Sequence, residues 1–418
     1  MNKGTVIIGG GLSGICCGIS LARRGQQVTI VGGAQSSLML NSGSMELLGC
    51  INGIPVTSPL QAIPTLPHGH PYSKIGAQRI AELATRAKQL LIDANINMEG
   101  NADLNHWRIT PMGIAKPAWL TLSDHLRIDD MTALPARHLA LMNIRGYLDQ
   151  PNAMLAQGLR NLGFDVEVIE FTTDDITALR RSPTEMRATS LAKRLMSYKA
   201  LKRIADQINN LANEADMVLL PSVLAQNDDS DILSLQSMVN KPLRLVATLP
   251  PSVAGMRMQA QLRHYFKMLG GNFLMGDSAI GGNFDGDRLV SINTSKQADT
   301  PLLADNFVLA TGSFISRGLI ADHEHIYEPV LGVDVDADAD RALWTCFNVL
   351  EPQAYNRYGV ATDDSFHCLK QGRVIDNLYA IGSILSGHDA IKMGDGTGVA
   401  MLTAITAADL IRLTPPHA

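Results

Sequence analysis

Thr5-Val6-Ile7-Ile8-Gly9-Gly10-Gly11-Leu12-Ser13-Gly14 opens the chain after its first few residues, and how it is read decides the fold. Thr5 to Ile8 is a β-branched run suited to a central parallel strand buried on both faces. From Leu12 to Arg24 the residues Ile15, Gly18, Ile19 and Ala22 recur at helical spacing, and Gly25 stops the helix. Gln27 to Val31 predicts the second strand. Between strand and helix, Gly9, Gly11 and Gly14 satisfy G-x-G-x-x-G in the one context where that pattern carries physical meaning. Gly9 permits the tight turn, Gly11 lets backbone approach a phosphate, and Gly14 lets helix and strand pack closely, while the helix N-terminus directs free N–H groups at the anion. One expected feature is missing. Proteins that hold an adenosine ribose usually place Asp or Glu at the end of the second strand, and here the sequence reads Val31-Gly32-Gly33-Ala34. Either the adenosine half is held otherwise, or the ligand lacks it.

A chain of 418 residues, 46% hydrophobic and 18% charged, can bury a large core and form two domains. Its net charge of -5 does not supply the concentrated cationic face that a nucleic-acid backbone requires. The five cysteines Cys16, Cys17, Cys50, Cys346 and Cys368 make no C-x-x-C pair, so neither zinc nor an iron–sulfur cluster is suggested, and a reducing cytoplasm is the natural home. Cys16 and Cys17 read as small core residues. Gly4 to Ala22 carries no charge, yet the glycines between Gly9 and Gly14 would weaken a spanning helix and Arg23-Arg24 follows without a cleavage site. Membrane contact is therefore expected to be peripheral.

Further along, Ser42-Gly43-Ser44 precedes an apolar stretch and reads as a capped helix start whose N–H and O–H groups would either cap or bind a flavin or phosphate. His68-Gly69-His70 lies in a Pro- and Gly-rich stretch and reads as a solvated loop, as does Asp322-His323-Glu324-His325; neither has the donor set of a metal site. Ile75 to Ala94 reads as an amphipathic helix, and Trp107 to Leu126 as antiparallel strands. A second α/β region follows: strand Leu139–Ile144, helix Asn152–Leu162, strand Val166–Ile169, two charged helices and strand Met217–Pro221. The basic residues Arg187, Lys193, Arg194, Lys199, Lys202 and Arg203 on those helices read as solvated faces, with a docking surface as the alternative. A proline-stiffened loop, Thr248 to Met256, then leads into a helix over Met258–Leu269. Arg257 at its start opposes the helix dipole, so it needs another partner: a substrate phosphate, the charge of a reduced flavin, or an ordinary acid. Two apolar strands return near the C-terminus, one ending Ala310-Thr311-Gly312 and one ending Ala380-Ile381-Gly382-Ser383. Gly394-Asp395-Gly396-Thr397-Gly398 then opens an apolar helix over Met401–Leu413, whose N–H groups suit a flavin carbonyl or ribityl chain.

These features give an α/β fold with a Rossmann-like flavin-binding domain over residues 1–105 and 246–418 and an inserted second α/β domain over 106–245. The N-terminal glycine motif, the mid-chain Ala310-Thr311-Gly312 and the C-terminal strand with its glycine helix resemble the two-dinucleotide-fold flavoprotein oxidoreductases. With Ser42-Gly43-Ser44, Thr248-Leu249-Pro250-Pro251-Ser252-Val253, Pro329-Val330-Leu331-Gly332 and Gly359-Val360-Ala361-Thr362-Asp363, the chain is similar to the B subunit of anaerobic glycerol-3-phosphate dehydrogenase over nearly its whole length. The resemblance implies oxidation of sn-glycerol 3-phosphate to dihydroxyacetone phosphate, with electrons passing to quinone for fumarate or nitrate respiration. It also implies FMN as cofactor, an A subunit with its own flavin, an iron–sulfur C subunit, and a cytoplasmic place on the inner face of the cell membrane through those partners. FAD is the alternative cofactor. His388 and Lys392 depart from the family pattern and are not nominated.

The cofactor-binding candidates are Gly9, Gly11, Gly14, Ser42, Gly43, Ser44, Thr311, Gly312, Gly382, Ser383, Gly396 and Gly398. Oxidising a secondary alcohol also needs a base for the hydroxyl proton; Asp389, close to the glycine helix, and His264, near Arg257, are the candidates, with Arg257 as phosphate or flavin-charge partner. Two other readings stay open: an electron-transfer or structural subunit with oxidation done in the A subunit, and a stand-alone FAD enzyme acting on another alcohol or amine.

Overall fold

The computed structural model describes residues 4–33, 36–180, 186–297 and 299–411. In chain order the elements that matter are β1 (Thr5–Ile8), α1 (Leu12–Ala22), β2 (Val28–Gly32), α2 (Pro71–Ile75), α3 (Ala77–Asp93), β3 (His138–Ile144), α4 (Asn152–Asn161), β4 (Asp165–Phe171), α5 (Tyr198–Leu211), β5 (Met217–Pro221), β6 (Leu243–Val246), α6 (Val253–Met268), β7 (Asn272–Met275), β8 (Asn306–Leu309), β9 (His367–Lys370), β10 (Arg373–Ala380) and α7 (Gly396–Leu410). They fall into two compact units. The first comprises Met1–Ser37, Glu46–Ala94 and Leu262–Ala418, and the second Leu38–Met45 and Asn95–Gln261.

The first unit is built on a six-stranded sheet in the order β7-β2-β1-β8-β10-β9. All neighbours run parallel except the β9–β10 pair. β1 lies inside, with Ile7 level with Ile30 of β2 and Val308 of β8. Val6, Ile7 and Ile8 are accordingly buried, as a strand covered on both faces requires. From β1 the chain builds β2 and then β7 on one side and returns to β8 and β10 on the other, so the C-terminal ends of β1 and β8 form the topological switch point where open α/β sheets bind ligands. α1 is apolar almost all round, and burial pushes the Cys16 thiol up to about 12. α3 buries Ile80, Leu83, Ala84, Ala87, Leu90 and Leu91 along one stripe, as the sequence predicts.

The second unit carries a parallel four-stranded sheet in the order β4-β3-β5-β6. Alternate residues of β3 feed two separate cores. Ala140, Met142 and Ile144 pack with α5, and Leu139 and Leu141 pack with Leu155 and Leu159 of α4. The basic helices face solvent largely through local acids: Arg194 and Arg203 both reach Asp175, and Lys202 reaches Asp206.

The division differs from the sequence expectation of 106–245 on both sides. Strand Met98–Glu99 pairs with Leu120–Leu122, which draws the segment from Asn95 into the second unit. At the other end, α6 starts five residues before the expected Met258, and its first turns carry Arg257, which bonds Asp124 of the same unit. Leu38–Met45 falls in the second unit rather than the flavin-binding domain, because Ser44 and Met45 form a strand against Leu120 and Thr121. The capped helix expected after Ser44 is therefore absent: a β ladder satisfies the backbone that a cap would have served. Further differences are small. α7 begins at Gly396 rather than Met401, since glycines are tolerated in its first turn, and the expected end at Leu413 lies outside the described residues.

Candidate functional site

The glycine loop sits at the C-terminal end of β1. Gly9 has φ +123 and its N–H donates to Val31 O, which fixes the turn beside β2. A Cβ on Gly14 would lie 2.0 Å from Gly9 O, so side-chain-free contact between helix and turn is what lets α1 start there. Gly11 is the N-cap residue, with no side chain capping the helix. The first N–H groups of α1 have no intrahelical partner, and they open onto the solvent side of the loop as an anion site. A Cβ on Gly11 would meet nothing nearer than Ser36 Cβ at 3.9 Å. Its glycine serves an approaching ligand rather than the fold.

Above this loop lies a cleft of about 580 Å³ contained in the first unit. Gly9, Gly10, Gly11 and Ser13 form its floor. On one side it extends past Gly32, Gly33 and Ser36 to Asp277, Ser278 and Ile280 beyond β7; on the other it reaches Thr311, Gly312, Arg317, Ser383 and Ala400. Thr311 Oγ1 is buried without a hydrogen-bond partner among the described residues, an open valence on the cleft wall. Free helix amides, a glycine floor and an unpaired hydroxyl together fit a flavin nucleotide. Asp277 stands near the place where the second strand lacks its acid, but its carboxylate accepts from Thr294 Oγ1, Ser295 Oγ and the N–H groups of Ser278 and Lys296. Burial would raise its carboxyl; those hydrogen bonds outweigh burial and hold it below the ordinary carboxylate range, so it fastens its own turn.

Of the nominated cofactor residues, Gly9, Gly11, Thr311, Gly312 and Ser383 line this cleft. Gly14 and Gly382 do not; a Cβ on Gly382 would meet Ser13 Oγ at 2.6 Å, so both glycines serve packing around the loop. Gly396 and Gly398 do not line it either. Gly398 N–H donates to Glu46 O at 2.8 Å, and a Cβ there would strike Tyr72 Oη at 2.2 Å, so that helix start is buried against its own unit. Ser42, Gly43 and Ser44 belong to the second unit, where Ser44 Oγ bonds Thr121 Oγ1 at 2.9 Å. Arg317, Ser36 and Ser278 also line the cleft, and as single polar residues in loops they carry no spacing signal in the sequence.

The three catalytic candidates are not brought together. Arg257 is buried, and its Nη2 donates to Asp124 Oδ2 at 2.6 Å. Its partner is thus an acid of the same unit, while its Nη1 has no hydrogen-bond partner among the described residues. Asp124 Oδ1 meets His125 Nδ1 at 2.6 Å. Burial would raise the Asp124 carboxyl, but the imidazole and guanidinium hold it well below the usual range. Asp389 is buried and accepts from the N–H groups of Ile391 and Lys392, so it caps a turn. His264 is exposed on α6. His70 is not part of a solvated loop but fully buried: its Nε2 lies 2.9 Å from Asp395 Oδ2, and Asp395 Oδ1 lies 3.1 Å from His388 Nδ1. No local pattern marks this cluster, since His70 and Asp395 lie 325 positions apart. Among the described residues no helix is long and apolar enough to cross a membrane, and no group of three His, Cys, Asp or Glu residues could hold a metal.

The family model described as FAD binding domain matches residues 4–399. The chain is 38% identical to the B subunit of anaerobic glycerol-3-phosphate dehydrogenase from Yersinia enterocolitica over 98% of both chains. It is 36% identical to the B subunit of the same dehydrogenase from Actinobacillus succinogenes, covering 98% of this chain and 99% of that one. Among solved structures, 3-ketosteroid delta1-dehydrogenase from Sterolibacterium denitrificans aligns at 12% identity with a TM-score of 0.42, covering 97% of this chain and 98% of that one.

Substitutions in the loop should separate ligand contact from packing. Gly11→Ala should fold normally yet bind flavin about 10- to 100-fold more weakly, the loss of one charge-assisted contact. Gly14→Ala should fail to fold or lose flavin altogether; fluorescence titration beside a melting curve distinguishes these outcomes. Asp124→Asn leaves the buried Arg257 without its counter-ion and should cost about 3–5 kcal/mol of stability in urea unfolding.

Proposed function

The chain belongs to the FAD-binding flavoproteins and, within them, to the family of anaerobic glycerol-3-phosphate dehydrogenase B subunits, and from that premise we propose that it is a flavoprotein subunit oxidising sn-glycerol 3-phosphate to dihydroxyacetone phosphate. Its electrons pass to quinone through an iron–sulfur C subunit, beside an A subunit with its own flavin, and these partners hold it on the inner face of the membrane. When bound, the flavin supplies the hydride acceptor. The chain supplies the phosphate cradle at Gly9–Ser13, the hydroxyl of Thr311 and the wall around Arg317 and Ser383.

The observation that carries this reading is a cleft running to both sides of the glycine loop. FMN, with one phosphate at its end, needs only one side. FAD needs both, with its pyrophosphate over the helix N-terminus. The extent of the cleft therefore favours FAD over the FMN that the missing acid suggested. Ser36, Ser37 and Ser278 line the adenosine end and offer sugar hydroxyls neutral partners in place of a carboxylate.

The second reading, electron relay with alcohol oxidation in the A subunit, is favoured by one observation: Arg257, Asp389 and His264 are respectively paired, capped over and exposed. Two measurements on the purified chain decide. Acid release and chromatography should yield FAD; FMN alone would overturn the cofactor assignment. Anaerobic glycerol 3-phosphate should bleach the bound flavin, whereas a flavin reduced by dithionite and untouched by the substrate would establish the relay.

A further inference from the structure

Past Ser278 the wall of the flavin cleft changes character, from glycine and serine to the apolar side chains of Ala279, Ile280, Ile320, Pro329 and Val330. Ile280 is 58% exposed, so most of its side chain is left open for a ligand to cover. These residues come from separate segments of the first unit, and one close contact brings two of the segments together. Leu331 packs on the strand Ala279–Asp285 at Gly282, where a Cβ would lie 2.7 Å from Leu331 Cδ2. The segment that carries Pro329 and Val330 is thereby docked on the strand that carries Ala279 and Ile280.

That turn is clamped by opposite charges. Glu328 is buried, and its carboxylate accepts the N–H of Val330 at 2.9 Å, of Leu331 at 2.7 Å and of Gly332 at 3.0 Å. Three successive amides converge on one carboxylate, an arrangement that can hold a free anion and is filled here by the side chain at the head of the turn. The carbonyls go to a cation: Lys370 Nζ donates to Leu331 O at 2.6 Å and to Gly332 O at 2.8 Å. The same ammonium lies 5.0 Å from the centre of the Phe284 ring, on the strand that carries Ile280. Lys370 ends β9, and the hairpin joining β9 to β10 is tied back to the segment after the turn, since Asp334 accepts the N–H groups of Gln371 at 2.8 Å and Gly372 at 2.7 Å. Leu331 and Gly332 therefore have each N–H held by an anion and each C=O by a cation, which fixes the backbone between Pro329 and Gly332 in one conformation.

We propose that Glu328 and Lys370 are the positioning residues that make the chain select a flavin carrying adenine, by fixing the Pro329–Gly332 turn as one wall of a slot for the base. This rests on the proposed function, in which the cofactor is FAD. Apolar side chains suit the two faces of a flat heteroaromatic ring, and Ser36 and Ser278 beside them suit the sugar that joins base to phosphate. A wall ordered before the ligand arrives leaves less conformational entropy to lose on binding, so the clamp raises affinity without touching the cofactor. FMN, which ends at the phosphate on the glycine loop, has no part to place in the slot.

The test is fluorescence titration of the flavin-stripped full chain with FAD and, separately, with FMN. The wild-type chain should bind FAD at least about 10-fold more tightly than FMN. Glu328→Gln keeps the shape of the side chain but turns an N–H donor towards the turn amides; it should weaken FAD about 10- to 100-fold and leave FMN within about twofold. Lys370→Met should act in the same direction. Ile280→Ser removes a mostly exposed side chain of the slot itself, and should weaken FAD about 5- to 10-fold while sparing FMN. A general loosening of the fold does not change the ratio of the two affinities, so variants that weaken FAD and FMN by the same factor overturn the proposal, as do variants that weaken neither. Should the Glu328 and Lys370 variants not fold, hydrogen exchange on the wild-type chain decides: the amides of Val330, Leu331 and Gly332 should be protected before flavin is added, and exchange at the rate of an open loop overturns the clamp. A wild-type chain that retains FMN and not FAD overturns the cofactor assignment of the proposed function, and the slot with it; preferential FAD binding with unaltered variants overturns the slot alone.

Discussion

Everything in the first unit depends on one close approach, Gly14 against the carbonyl oxygen of Gly9. No side chain fits there, and because none is present, α1 starts directly above the end of β1 with its free amides over the cleft floor. β1 lies between β2 and β8, so the loop stands where strand order reverses and two crossover connections leave in opposite directions. The sheet provides a rigid support and the loop an electrostatic one. Neither requires a charged side chain, which fits a cleft floor made of glycine and serine.

Much of this is legible from residues near one another in the chain. The strand–glycine–helix start, the parallel second sheet and the amphipathic stripe of α3 all rest on periodicity and local punctuation, which sequence records directly. Of the nominated cofactor residues that line the cleft, Thr311 and Gly312 follow β8, the neighbour of β1, and Ser383 follows β10, the next strand out, so topology dictates the neighbourhood. Polarity read without partners misleads. Gly398 resembles a ligand-facing helix start, yet Glu46 O takes its N–H; Ser44 resembles a cap, yet a two-residue ladder occupies it. Neither contact leaves a local trace, because each joins segments far apart in sequence.

The same limitation hides the buried charges. Arg257 looks like a free cation because it opposes the dipole of its helix, and Asp124, the group that answers it, lies 133 positions away. His70 looks solvated because prolines and glycines surround it. Both cases have one physical resolution: a charged or polar group in the interior is there because a partner is held against it. In the Asp395 cluster the same logic holds twice over, since the carboxylate has two imidazole partners.

Whether the cleft over the glycine loop holds a flavin dinucleotide is tested most directly by an experimental density map of the flavin-loaded protein. Phosphate oxygens should lie about 3 Å from the backbone amides at the start of α1, with the adenosine end towards Ser278 and the ring end towards Ser383. A flavin bound with its phosphate away from that loop would contradict the assignment.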